Sequence, residues 1–200
     1  MKKSALAIYE FLQTKELLRD SPALWWPNAG TFEVVISALL TQNTTWSNVE
    51  KSLKNLEGFL DLECFVALDE NSLKERIKPS GFYNQKAPRL LQLAKNIQEH
   101  FKTFENFQKD VSRKWLLEQK GIGKESADVI LCYACGRDAM VVDSYTKRLL
   151  QSFGIEFNNY EAYQLFLEKE LRQHYSQEAL PKIFALFHGM IVECNKKKCF

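Results

Sequence analysis

Three stretches of the chain combine residue types at spacings that can bind or react. The first is Trp115-Leu-Leu-Glu-Gln-Lys120-Gly121-Ile122-Gly123-Lys124-Glu125-Ser126-Ala127, which reads as two short helices joined by Gly-Ile-Gly. Glycine lets the backbone turn its amides outward with no side chain in front of them. The amides of such a hairpin converge with those of the next helix's first turn, and that helix end adds positive potential. The result is an anion site in which Gly121, Ile122, Gly123 and Lys124 are the candidates. Ile122 is expected to turn inward and lock the helices together, and Ala127 to keep them close. The bland alternative is an ordinary turn between two helices that happens to use glycine.

The second stretch is Val141-Val142-Asp143-Ser144-Tyr145-Thr146. On residue type alone Asp143 is a helix N-cap, and the helix end would help to keep its carboxylate ionised. The third is Leu24-Trp25-Trp26-Pro27, with Trp46 some twenty residues on. Adjacent tryptophans before a proline offer stacking area to a flat ring, more so to a cationic one. Core packing is the competing use of the same side chains. Cys132-x-x-Cys135 together with Cys194 and Cys199 invites a zinc reading. Cys132 and Cys135 fall, however, on a helical stripe with Val129, where free cysteine behaves as a small hydrophobe. His100, His174 and His188 have no ligand spacing, so no metal is expected.

The elements that must carry these residues are helices. Leu6, Tyr9 and Leu12 start one that should stop by Ser21-Pro22, and Thr31 is placed to cap another carrying Val34, Val35, Ala38 and Leu39. A third is expected from Trp46 to Leu56. Ser72-Leu73-Lys74-Glu75 has capping-box form. Ala87, Leu90, Leu91, Ala94, Ile97 and Phe101 define a long amphipathic helix. Further helices are expected at 112–118, 124–135, 144–153, 160–173 and 177–193. Only Ala139-Met140-Val141-Val142 looks strand-like, and it is too short for a sheet. The expected fold class is all-α.

Bulk properties set the frame. The 200 residues suffice for one domain or two small lobes, and 46% hydrophobic with 26% charged residues excludes a disordered chain. No apolar run is long enough to cross a bilayer, and the N-terminus lacks signal-peptide form. Five cysteines in helical segments point to reduced thiols and a cytoplasmic setting. The net charge is only +2, yet residues 74–124 hold twelve basic side chains against five acidic ones, a local +7. A surface of that kind attracts phosphates, although charge runs are often only a solvated face.

Four blocks in the same order resemble the endonuclease III superfamily, the helix-hairpin-helix (HhH-GPD) DNA glycosylases. They are Leu39-Leu40-Thr41-Gln42-Asn43-Thr44, Gly81-Phe82-Tyr83-Asn84-Gln85-Lys86-Ala87, the Gly121-Ile122-Gly123 hairpin, and Val142-Asp143 followed by a basic helix. The resemblance covers about residues 25 to 190. It implies two helical lobes, one a six-helix unit over residues 27–137 with the hairpin at 112–135. The other would combine 1–26 with 138–200. Double-stranded DNA with a damaged base would bind across a cleft between them, to a monomer with no membrane partner. The damaged nucleotide would be flipped out of the stack. Asp143 would stabilise the positive charge developing on the sugar, and Gln42 would fill the gap left by the base. Tyr83 and Lys86, from the second block, would contact DNA.

Two departures refine this. Bifunctional members carry a Schiff-base lysine in the hairpin's second helix, and Glu125 stands at the matching position. Lys124 is one residue off, a rotation of about 100 degrees on a helix. The four-cysteine loop of many members is reduced to Cys194-x4-Cys199, so no iron–sulfur cofactor is expected. Trp25, Trp26, Pro27, Trp46 and Glu125 then suit a base pocket for a cationic, alkylated purine. With the blocks Trp25-Trp26-Pro27-Asn28-Ala29 and Lys120-Gly-Ile-Gly-Lys-Glu-Ser-Ala-Asp128, this resembles the small 3-methyladenine DNA glycosylases. Base excision repair by a monofunctional glycosylase is the expectation. The alternatives are an endonuclease III-like glycosylase and lyase acting on oxidised pyrimidines, and a non-catalytic helix-hairpin-helix DNA-binding module.

Overall fold

The computed structural model describes residues 4–199, which form helices and no strand. The chain divides into two compact units, residues 30–130 and residues 1–29 with 131–200.

The continuous unit holds α2 (Phe32–Leu40), α3 (Trp46–Asn55), α4 (Leu62–Val66), α5 (Glu70–Ile77), α6 (Tyr83–Phe101), α7 (Phe104–Asp110), α8 (Arg113–Leu117) and α9 (Lys124–Val129). α6 is its spine and touches α2, α4, α5 and α7. It buries Ala87, Leu90, Leu91, Leu93, Ala94, Ile97 and Phe101 on one side, the face that the apolar periodicity marks. α4 and α7 escape the periodicity because each has seven residues or fewer, too short for a repeat to show. The capping box expected at Ser72 is displaced: Asp69 caps α5, accepting from the amides of Asn71 and Ser72 at 3.0 Å each.

The discontinuous unit packs α1 (Ala5–Gln13), α10 (Ser144–Ser152), α11 (Tyr160–His174) and α12 (Leu180–Lys197) around one core. Ile8, Leu12, Leu149, Leu167, Phe184, Phe187 and Ile191 are fully buried there. Residues 139–142, strand-like by composition, are an irregular connection. The amide of Met140 donates to Glu168 (3.1 Å), its carbonyl accepts from Gln164 (2.8 Å), and the Val142 amide donates to the Tyr160 hydroxyl (3.2 Å). These side-chain partners do what a neighbouring strand would do and deliver Asp143 at the start of α10. Arg172, paired with Glu168 and Asp138, braces the same segment.

The helix expected over 124–135 changes pitch. α9 ends at Val129 and Ile130–Ala134 forms a π turn. The packing boundary falls at this point rather than at residue 137, because Tyr133 is buried against Trp25, Trp26 and His188 of the discontinuous unit. Single π turns are rare and are found frequently at functional sites.

Candidate active site

In the discontinuous unit, α12 sets the geometry. His188 and Gly189 sit in its middle and are buried. A Cβ on Gly189 would lie 2.5 Å from Cγ of Trp25, so the missing side chain is what lets the indole rest on the helix. Trp25 is half-buried, with its backbone in the left-handed region at φ 70°. Its indole N–H donates to Glu193 Oε1 at 3.2 Å, and Glu193 is paired with Lys196 at 2.8 Å. The ring stands edge-on to His188, with centroids 5.3 Å apart. Trp26 behaves differently. It is 6% exposed and lies against Tyr133 at 5.2 Å, so packing accounts for it. Pro27 follows, half-buried.

Asp143 is the N-cap of α10. Its Oδ1 accepts from the Thr146 amide (2.7 Å) and the Thr146 hydroxyl (2.9 Å). Its Oδ2 lies 3.5 Å from His188 Nε2. Burial alone would raise the carboxyl pKa, but His188 and the Thr146 bonds outweigh it and hold it below the ordinary carboxylate value. The Trp25 indole and an ionised carboxylate therefore meet around one imidazole. Tyr133 completes the group. Its hydroxyl is 2.9 Å from the Ala185 carbonyl and 2.8 Å from His188 Nδ1, and burial pushes its pKa well above the usual value.

In the continuous unit, α8 and α9 form the expected hairpin. Gly121 has φ +91°, the left-handed region that favours glycine; a Cβ there would also meet Cδ of Arg89 at 2.7 Å, a contact that the flexible arginine side chain can relieve. Ile122 and Ala127 are buried, while Gly123, Lys124 and Glu125 face solvent. A fully buried Asp128 accepts a two-pronged bond from Arg113, at 2.7 and 2.9 Å, which ties α9 to the start of α8.

Two residues expected to contact DNA have partners within the continuous unit. Lys86 is buried, and its ammonium donates to the carbonyls of Leu40 (2.7 Å) and Ser80 (2.8 Å). Burial lowers its pKa to about 8. It ties the end of α2 to the turn that precedes α6 and offers no surface charge. Gln42 turns its amide inward, donating to the Gly121 carbonyl (3.0 Å) and the Ser126 hydroxyl (2.9 Å). In this conformation Gln42 braces the hairpin, and filling a gap in DNA requires both bonds to break. With Lys86 buried and Arg113 paired, the +7 of residues 74–124 overstates the free basic surface. Tyr83 keeps a half-buried place at the start of α6, with Lys78 Nζ 5.9 Å from its ring.

Trp46 and Glu125, expected in a base pocket with the tryptophan pair, belong to the continuous unit, whereas Trp25, Trp26 and Asp143 belong to the other. The Trp46 indole donates to Glu50 one turn along its own helix, at 3.0 Å.

Sequence reasoning missed His188, Tyr133, Glu193 and Phe82. The first three have no local signature, since each gains meaning only from partners far along the chain. Phe82 had a signal: an aromatic between Gly81 and a helix start. It is 59% exposed and held at φ 48°, an uncommon conformation for a bulky residue.

Among the described residues, no three His, Cys, Asp or Glu side chains cluster as metal ligands. Cys132 is buried, and burial pushes the thiols of Cys135 and Cys194 up to about 12.

Residues 36–173 match the family model of the HhH-GPD superfamily base excision DNA repair proteins. The chain belongs to that superfamily. A Methanocaldococcus jannaschii protein assigned provisionally to the DNA repair glycosylases is 41% identical over 184 residues, 88% of this chain and 81% of the relative. The crystal structure of the H. pylori 3-methyladenine DNA glycosylase MagIII, bound to 1,N6-ethenoadenine, superposes with a TM-score of 0.93. It is 44% identical, with 98% of each chain covered. A trapped endonuclease III–DNA covalent intermediate shares the fold at a TM-score of 0.73 and 20% identity, over 98% of this chain and 88% of that one.

Proposed function

We propose that this DNA glycosylase of base excision repair removes alkylated purines, of the 3-methyladenine type, from duplex DNA by hydrolysis, acting as a monomer. The observation that carries the reading is the meeting of Trp25 and the ionised Asp143 carboxylate around His188. An electron-rich indole attracts a cationic base, and a carboxylate stabilises the positive charge left on the sugar. An alkylated purine that is already cationic leaves without an added proton, so the site needs no strong acid. The 44% identical H. pylori relative is a 3-methyladenine DNA glycosylase, which supports the same substrate class here.

Each residue then has a stated task. Asp143 holds the developing charge and the attacking water, and Trp25 stacks on the base. The amides of Gly121 and Gly123 with Lys124 grip a phosphate, while the Ile122 amide stays on the Gln119 carbonyl at 3.1 Å and shapes the turn. Tyr83 and the exposed Phe82 contact the duplex beside it. Glu125 replaces the amine that a lyase needs, so water is the nucleophile. Incubation with methylated duplex should release 3-methyladenine, identified by chromatography, and borohydride should trap no protein–DNA adduct on abasic DNA. Release of oxidised pyrimidines with an adduct at lyase-like yield would transfer the chain to the bifunctional class, and binding with no release to the non-catalytic one.

A further inference from the structure

We propose that His188 is the positioning residue for Asp143, aiming Oδ2 with a proton carried on its Nε2. The proposal rests on Asp143 being the reacting carboxylate.

The imidazole is 2% exposed. Nε2 is buried, has no hydrogen-bond partner, and has the Asp143 Oδ2 at 3.5 Å. Bringing the two a few tenths of an ångström closer makes a charge-assisted hydrogen bond. Leaving Nε2 without a proton would set its lone pair against a carboxylate in a dry place, a costly arrangement.

Counting protons around Tyr133 shows how Nε2 obtains one. The Tyr133 hydroxyl has a single proton and two neighbours, the Ala185 carbonyl and His188 Nδ1. If the proton points to Ala185, which only accepts, Nδ1 must donate to the tyrosine oxygen. Nε2 is then protonated when the ring is an imidazolium. If the proton swings to Nδ1, the neutral ring carries its hydrogen on Nε2. Ala185 lies inside α12, whose own ladder serves its carbonyl, so the swing strands no group. Tyr133 thus supports Nε2–H in both charge states of the ring. The other oxygen of Asp143 is fixed by Thr146, so together Thr146 and His188 define the carboxylate plane. The titratable groups facing this pair are Tyr133 with its neighbour Cys132; Glu193 and Lys196, further along α12, meet the Trp25 indole instead.

The test combines a spectrum with kinetics. The chain has three histidines, so the His188 ring nitrogens can be assigned in a long-range nitrogen-15 spectrum by comparison with His188→Gln. Nε2 should be protonated across neutral pH; a bare Nε2 overturns the proposal. In single-turnover release of 3-methyladenine, His188→Phe should be slowed by up to about 100-fold, the cost of a roughly 1 Å misplacement. Its acid limb should also move to higher pH, because Asp143 loses the partner that lowers its pKa. His188→Gln, which keeps an N–H near the Nε2 position, should recover most of the rate. An unmoved acid limb in a folded His188→Phe protein overturns the proposal, since a packing role would change melting temperature and not that limb. If the parent releases no alkylated base, the functional reading fails by itself, and the spectrum still decides where the His188 proton lies.

Discussion

The hairpin of the continuous unit and the Asp143 site of the discontinuous unit solve opposite problems. The hairpin presents backbone: Gly123, Lys124 and Glu125 face solvent, and the side chains behind them, Ile122, Ala127 and Asp128, only hold two helices together. Everything it needs lies within about fifteen residues, apart from the Gln42 brace and Arg89. The Asp143 site presents side chains. Trp25, Tyr133, Asp143, His188 and Glu193 come from segments up to 168 residues apart and meet in a mostly buried cluster. A scaffold that grips any phosphate needs no reactive group, whereas a site that breaks a bond needs charges held where water cannot screen them. Substitutions in the two regions should therefore fail in different ways.

The largest effect is expected at Trp26. Its ring is buried against Tyr133, so Trp26→Ala should cost about 3–5 kcal/mol of stability, read as a fall in denaturation midpoint. Normal stability in that variant would mean that the aromatic cluster is not part of the core.

Trp25→Ala should act on chemistry instead. The ring is half-buried, and stacking on a base is worth about 1–3 kcal/mol, so excision should slow roughly tenfold to a hundredfold, with a smaller stability loss than Trp26→Ala causes. Gly189→Ala should reproduce part of this by pushing the indole off α12. Equal stability losses at both tryptophans, with normal excision by the folded fraction, would erase the distinction between wall and core.

Gly123→Ala should give the smallest effect. A Cβ there meets nothing within the chain, so the fold should be unchanged. It would stand before the outward amides, and affinity for damaged and undamaged duplex should fall together. A loss confined to damaged DNA would place the hairpin in base recognition.

The contrast also explains what the sequence made legible. The hairpin is local, so residue types and spacing alone suffice to place Gly121, Ile122 and Ala127. Asp143 is recognisable as a cap because the cap is local too, and its bonds to Thr146 follow from Asp-Ser-Tyr-Thr. The charge state of Asp143 depends on His188, forty-five residues away, and nothing in the spacing announces that. Lys86 and Gln42 show a related limit: both sit in recognisable blocks, yet Lys86 is buried on backbone carbonyls and Gln42 turns its amide to the hairpin. A block match fixes where a residue lies along the chain and leaves open which way its side chain points. Trp26 separates from Trp25 by burial: both rings meet Tyr133, but only Trp26 is closed off from solvent.

The central claim is that the Asp143 carboxylate, and not an amine, carries the reaction. Asp143→Asn tests it cleanly, because asparagine caps helices as well as aspartate does and changes charge without volume. The measurement is the single-turnover rate of 3-methyladenine release from methylated duplex, beside a melting curve and a binding isotherm. The rate should fall about 10²–10³-fold, the usual cost of deleting one electrostatic stabiliser of a transition state, with melting and DNA affinity close to those of the parent. Release within tenfold of the parent rate would contradict the claim.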